Sequence, residues 1–70
     1  MQLLKINGTE KQFAAGQFPA TLAELLAQLN VDTATVVAEV DGRIVRREHF
    51  ASTKLQPGQI IELIRLMGGG

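Results

Sequence analysis

An α+β domain, a mixed sheet of four to five strands wrapped on one main helix, is predicted here by three observations. Two turn signals, Asn7-Gly8 and Asp41-Gly42, each separate strand-like segments. Leu22, Leu25, Leu26 and Leu29 recur at the spacing of one helix face. The segment Ile60 to Met67 is dense in apolar and β-branched residues, as a buried strand requires.

Taken in order, Leu3, Leu4 and Ile6 read as a strand running into a tight turn. Asn-Gly suits that turn because both residues tolerate positive φ. Glu10 to Ala14 is the returning strand, with Phe13 as its apolar contribution. In the helix, Thr21 and Glu24 have capping-box spacing: the threonine oxygen accepts an early backbone N–H and the glutamate reaches back. Asn30 suits the helix end, where a left-handed residue is favoured. Val36 to Val40 returns to a strand pattern, and Asp41-Gly42 turns the chain into Arg43-Ile44-Val45. Arg46 to Leu55 has no clean period and is expected to cross irregularly, with a helical turn. Pro57-Gly58 is a turn before the last strand.

A single helix covers one face of a small sheet, so the economical arrangement wraps the sheet around it. The first and last strands then lie at the centre, which is the β-grasp fold. Residues 1–67 form this domain, and residues 68–70 are expected to be a flexible glycine tail.

Seventy residues allow one domain, near the lower limit of what folds unaided. There is no cysteine and one histidine, so disulfides and cysteine-based zinc sites are excluded. Stability must come from packing, for which 46% apolar residues suffice. Seven basic and seven acidic residues cancel, which argues against nucleic acid as a partner. No apolar run approaches the roughly 20 residues of a membrane helix, and the first residues lack the apolar stretch of a signal peptide. The expected location is the cytoplasm.

The chain finishes on Gly68, Gly69 and Gly70. A carboxylate preceded by three residues without side chains can thread a narrow channel and be activated as an anhydride with AMP. Sulfur attack on that anhydride leaves a thiocarboxylate. The bland alternative is a frayed terminus or the remnant of a cut linker.

Several segments together resemble the ThiS family, the ubiquitin-like sulfur carriers of thiamine-thiazole biosynthesis. They are Ala14-Ala15-Gly16-Gln17, Thr21-Leu22-Ala23-Glu24-Leu25-Leu26, Ile44-Val45-Arg46-Arg47-Glu48-His49-Phe50, Leu55-Gln56-Pro57-Gly58-Gln59 and the glycine end. Each is weak alone; their order along nearly the whole chain is specific. Arg46 departs from the pattern, which commonly has proline there.

The resemblance implies a carrier, not an enzyme, with no bound cofactor. An ATP-dependent adenylyltransferase related to the ubiquitin-activating enzymes forms the acyl-adenylate at Gly70. A persulfide on a desulfurase or rhodanese-like protein supplies sulfur, and thiazole synthase receives it. Gly68 and Gly69 provide reach and clearance, and a free monomer suits such a shuttle. Three alternatives differ in the fate of the activated tail or in whether activation occurs. They are a carrier for molybdopterin or another thio-metabolite, a ubiquitin-like protein modifier, and an interaction module with an idle tail.

Independently of the resemblance, alternation along the last strand puts Ile60, Glu62, Ile64 and Leu66 on one face, and Ile61, Leu63, Arg65 and Met67 on the other. Glu62 marks the first set as outward. Ile64 and Leu66 are therefore expected as exposed apolar residues before the tail, a docking patch extended by Val37, whose neighbour Glu39 also points out. His49 has no partners for a metal or a nucleophile and is expected at the surface. Phe50 is expected to plug a core edge. Arg43, Arg46 and Arg47 read as a solvated face.

Overall fold

The computed structural model describes residues 2–66. Five strands and one α-helix alternate with two 3-10 segments: β1 (Gln2–Ile6), β2 (Thr9–Phe13), α1 (Leu22–Gln28), a 3-10 turn at Thr33–Thr35, β3 (Val36–Val40), β4 (Arg43–Val45), a second 3-10 segment at Arg47–Ser52, and β5 (Ile60–Arg65). The strands form one sheet in the order β2-β1-β5-β3-β4. β1 and β5 are parallel, and every other neighbouring pair is antiparallel. The last strand formed by the chain thus occupies the middle of the sheet, with β1 beside it, as the β-grasp reading requires.

Both hairpins turn through two residues with positive φ: Asn7 at 50° and Gly8 at 83°, Asp41 at 51° and Gly42 at 84°. These values belong to type I′ turns, whose twist matches that of the strands they join. Each turn also reaches the central strand. The Asn7 Oδ1 accepts the Leu63 N–H at 2.7 Å, and the Asp41 Oδ1 accepts the Ile60 N–H at 2.9 Å. Two turns far apart in sequence therefore clasp β5 from opposite sides.

The helix is closed at both ends by its own sequence. Thr21 is extended (φ −133°, ψ 165°) and its Oγ1 accepts the Glu24 N–H at 3.2 Å. Glu24 reaches back to the Ala20 N–H at 3.1 Å. At the other end Asn30, at φ 61°, donates its N–H to the Ala27 carbonyl, and Val31 donates to that of Leu26. This is the paired bonding of a Schellman stop.

Leu22, Leu25 and Leu26 from the helix meet Leu4, Ala38 and Ile61 from the sheet, all fully buried. Phe13, Val36, Val40, Phe50 and Leu55 complete the core. Phe13 packs edge-on against Phe18, with ring centroids 5.4 Å apart. Phe50 comes from the 3-10 segment and plugs the core as its sequence suggests, and Leu55 at the end of the irregular stretch adds a second buried side chain.

Three boundaries differ from the sequence reading. β2 runs from Thr9 to Phe13, one residue earlier than Glu10 to Ala14, because the two-residue turn pairs Ile6 directly with Thr9. β5 ends at Arg65. One position beyond it, the Leu66 N–H bonds to the Thr35 carbonyl of the 3-10 turn at 2.7 Å, in the register of the β3–β5 pair. That 3-10 turn was not expected; Asp32 starts it, its Oδ1 accepting the Ala34 N–H at 2.9 Å. Among the described residues no helix is long and apolar enough to cross a membrane.

Candidate functional site

The sheet has one face under the helix and one facing away from it. Register decides what the second face displays. Val37 pairs with Ile64, and Glu39 pairs with Glu62 on one side and Ile44 on the other. These residues share a face because side chains alternate along each strand. Ile64 and Leu66 are 52% and 53% exposed, Ile60 is 48% exposed, and Val37 is half-buried between its neighbours. The outward set expected from alternation in β5 is therefore on the surface, with Val37 beside Ile64.

Ile44 belongs to the same surface and is its most exposed large apolar residue, at 68%. Sequence reasoning placed it only in a short strand. The signal was available: a two-residue turn at Asp41-Gly42 pairs Val40 with Arg43 and so puts Ile44 across from Glu39. Val37, Ile44 and Leu66 line a shallow groove with Thr33, Ala34 and Arg46. Its floor is apolar, and Arg46, Arg47 and Glu48 stand along its rim, all exposed.

The groove ends where β5 gives way to residues 67–70. Asp32 caps the 3-10 turn, the turn presents the Thr35 carbonyl, and Thr35 takes the Leu66 N–H. A local capping signal thus orders the turn that holds the last described residue of this segment. Gly68, Gly69 and Gly70, the residues expected to carry the chemistry, lie outside the described residues, as does Met67.

His49 is exposed, and its carbonyl accepts the hydroxyls of Ser52 and Thr53, which closes the end of the 3-10 segment. Among the described residues no group of three or more His, Cys, Asp or Glu side chains could hold a metal ion. Arg46 adopts φ −75°, which lies within the range a proline ring holds. A proline there would meet the φ that the chain already has.

Comparison with known proteins places this geometry. The model of the ThiS family matches residues 4–70, a span that includes the three glycines. A thiazole synthase of Paramagnetospirillum magneticum is 34% identical over 67 residues, which is 96% of this chain and 20% of that protein. The chain therefore spans about one-fifth of that relative's length. Among solved structures, the crystal structure of a thiamine biosynthesis protein (ThiS) from Geobacter metallireducens superposes with a TM-score of 0.81 at 32% identity, covering 97% of this chain and 99% of that one. A solution NMR structure of a thiamine biosynthesis protein from the same organism gives 0.77 at 34% identity, covering 100% and 88%.

Proposed function

The chain belongs to the ThiS family, and from this we propose that it is a sulfur carrier for thiamine-thiazole synthesis that works through Gly70. The observation that carries the reading is the family match running through the glycines. The protein is a cosubstrate in this scheme, with no turnover of its own.

The chemistry is set by what a carboxylate needs before it can accept sulfur. A carboxylate is a poor acyl donor. Attack by its oxygen on the α-phosphorus of ATP, on a partner adenylyltransferase, releases pyrophosphate and leaves an acyl-adenylate. A sulfur nucleophile then adds to the acyl carbon and AMP departs. With hydrosulfide the product is the thiocarboxylate directly. With a persulfide it is an acyl disulfide, and a thiol must reduce the S–S bond to release the thiocarboxylate. Gly68 and Gly69 suit this step because no side chain obstructs entry to a narrow adenylation site.

The groove at the point of exit and the apolar face around it supply the docking surface in this reading. Ile64, Leu66 and Val37, with Ile44, hold the activating enzyme while the tail reaches its nucleotide. Thiazole synthase is the proposed acceptor. A thiazole synthase that carries a stretch similar to this chain within one polypeptide supports that pairing, since tethering raises the effective concentration of two modules that must meet.

The test is intact-protein mass spectrometry after incubation with an activating enzyme, ATP and a sulfide source. The expected shift is the replacement of one oxygen by sulfur, absent from a chain lacking Gly70. No shift with an enzyme shown to be active on another carrier would overturn the reading.

A further inference from the structure

The outward face carries two carboxylates at its centre. Glu39 and Glu62 are direct cross-strand partners. Ile44 stands opposite Glu39 from β4, and Val37 precedes Glu39 by two positions on the same face. Ile60 and Ile64 flank Glu62 along β5. Each acid is thus set among exposed or half-buried apolar side chains, and Glu39 is itself half-buried. Of the cations near this face, Lys5 of β1 stands between Glu10 of β2 and Ile60 of β5, and Arg46 lines the groove with Val37 and Ile44. Beyond Lys5 on β1, Asn7 turns its Oδ1 to the Leu63 N–H.

Like charges directly opposite on one sheet face oppose folding, and the core gains nothing from them because they point away from it. Their placement has a consequence for anything that binds here. A surface that covers Ile44 and Ile64 must also take water away from both carboxylates. Desolvating them without a counter-charge would cancel the gain from apolar burial. The chemistry of the occupant is therefore constrained by the face itself.

We propose that the partner docking on this face presents an arginine guanidinium to Glu39 and Glu62, set among apolar side chains that meet Ile44, Ile64 and Leu66. The guanidinium is planar, stays charged, sheds water more readily than an ammonium and carries enough donors to serve two carboxylates at once. Charge-assisted bonds of this kind gain strength as the contact dries. A second copy of this chain does not fit, because a face-to-face pair brings four carboxylates together. Nucleic acid does not fit either, since its phosphates meet like charge. This inference rests on the docking role proposed above for the same face.

The experiment compares the full chain with its Glu39→Gln/Glu62→Gln double variant and with Ile64→Asp, using the activating enzyme as the probe. Binding is titrated at low and at physiological salt, and the melting temperature of each free chain is recorded. The double variant should bind about tenfold or more weakly and lose most of its salt dependence. Its melting temperature should rise, by about 1–5 °C, because the cross-strand repulsion is gone. Wild-type affinity in the double variant, with Ile64→Asp impaired, would overturn the arginine contact and leave the docking face standing. Wild-type affinity in both variants would overturn the docking face and this inference with it. A lowered melting temperature in the double variant would assign the glutamates to the fold and likewise overturn the proposal.

Discussion

The two faces of β5 share one backbone and differ in everything else. On the inner face Ile61 is fully buried and Leu63 packs against the core. On the outer face Ile60, Glu62 and Ile64 lie in the open, although two of these three are as apolar as anything inside. Hydrophobicity alone does not separate them; parity does. β5 lies between β1 and β3 at the centre of the sheet, and its alternate side chains point to opposite faces, free to serve different ends. One set holds the helix, and the other carries the docking role proposed above. On that proposal folding and recognition are interleaved at a period of two residues, and substitution should separate them.

The largest effect is expected on the inner face. Ile61→Ala removes a fully buried side chain between Ile6 and Val40, a change that costs about 2–5 kcal/mol in a well-packed core. A domain this small holds only a few kcal/mol in total, so urea denaturation should show a chain near its limit. Ile61→Val, with an expected cost of about 0.5–1.5 kcal/mol, keeps the comparison measurable if the alanine variant does not fold. Ile64→Asp, three residues on, should cost about 1 kcal/mol, because half of its side chain is already in water and the loss is mainly that of strand preference. An equal loss of stability at both positions would break the distinction between the faces.

A smaller effect is expected at the clasp that holds both faces in register. Asp41 adopts a left-handed conformation and accepts the Ile60 N–H. Asp41→Ala loses the acceptor and places a Cβ without a compensating hydrogen bond at positive φ, for a combined cost of about 1–3 kcal/mol. Asn tolerates the same φ and keeps a side-chain oxygen, so Asp41→Asn should stay within about 0.5 kcal/mol of the parent. Hydrogen exchange at the Ile60 amide is the direct readout: faster in the alanine variant, near parental in the asparagine variant.

What could be read beforehand, and what could not, divides by the range of the signal. The helix, its caps and both hairpins were legible because Thr21 with Glu24, Asn30, Asn7-Gly8 and Asp41-Gly42 act within a few residues of themselves. The outward parity of Ile64 and Leu66 was legible from Glu62, a charged residue inside one strand. The central place of β5 followed from having one helix to cover one sheet. The pairing of Glu39 with Glu62, by contrast, joins residues that are neighbours only through register. Asn7 reaching Leu63 has the same character, since the turn signal explains its backbone and says nothing of where its side-chain oxygen goes. The short turn at Thr33–Thr35 escaped for a different reason: Asp32 is a capping residue without an apolar period behind it. The role of Gly68, Gly69 and Gly70 came from residue type and resemblance, and it lies outside the described residues.

The smallest expected effect lies at the rim of the outer groove and has the opposite sign. Arg46 lines the groove, begins the 3-10 segment and adopts φ −75°. Bonding alternates along an antiparallel pair joined by a two-residue turn. Val45, opposite Ala38, is a bonded position, so the next residue directs its N–H away from β3. A proline at this position therefore loses no ladder bond and suffers no φ strain, while the unfolded chain loses freedom. Arg46→Pro should stabilise the fold by about 0.4–1 kcal/mol, seen as a higher denaturation midpoint at unchanged slope. If the arginine is only a solvated rim residue, affinity for the activating enzyme should stay at its parental value. Weaker binding in a more stable chain would instead extend the recognition surface from β5 across the groove to the start of the 3-10 segment, placing Arg46 with the outer face of the central strand.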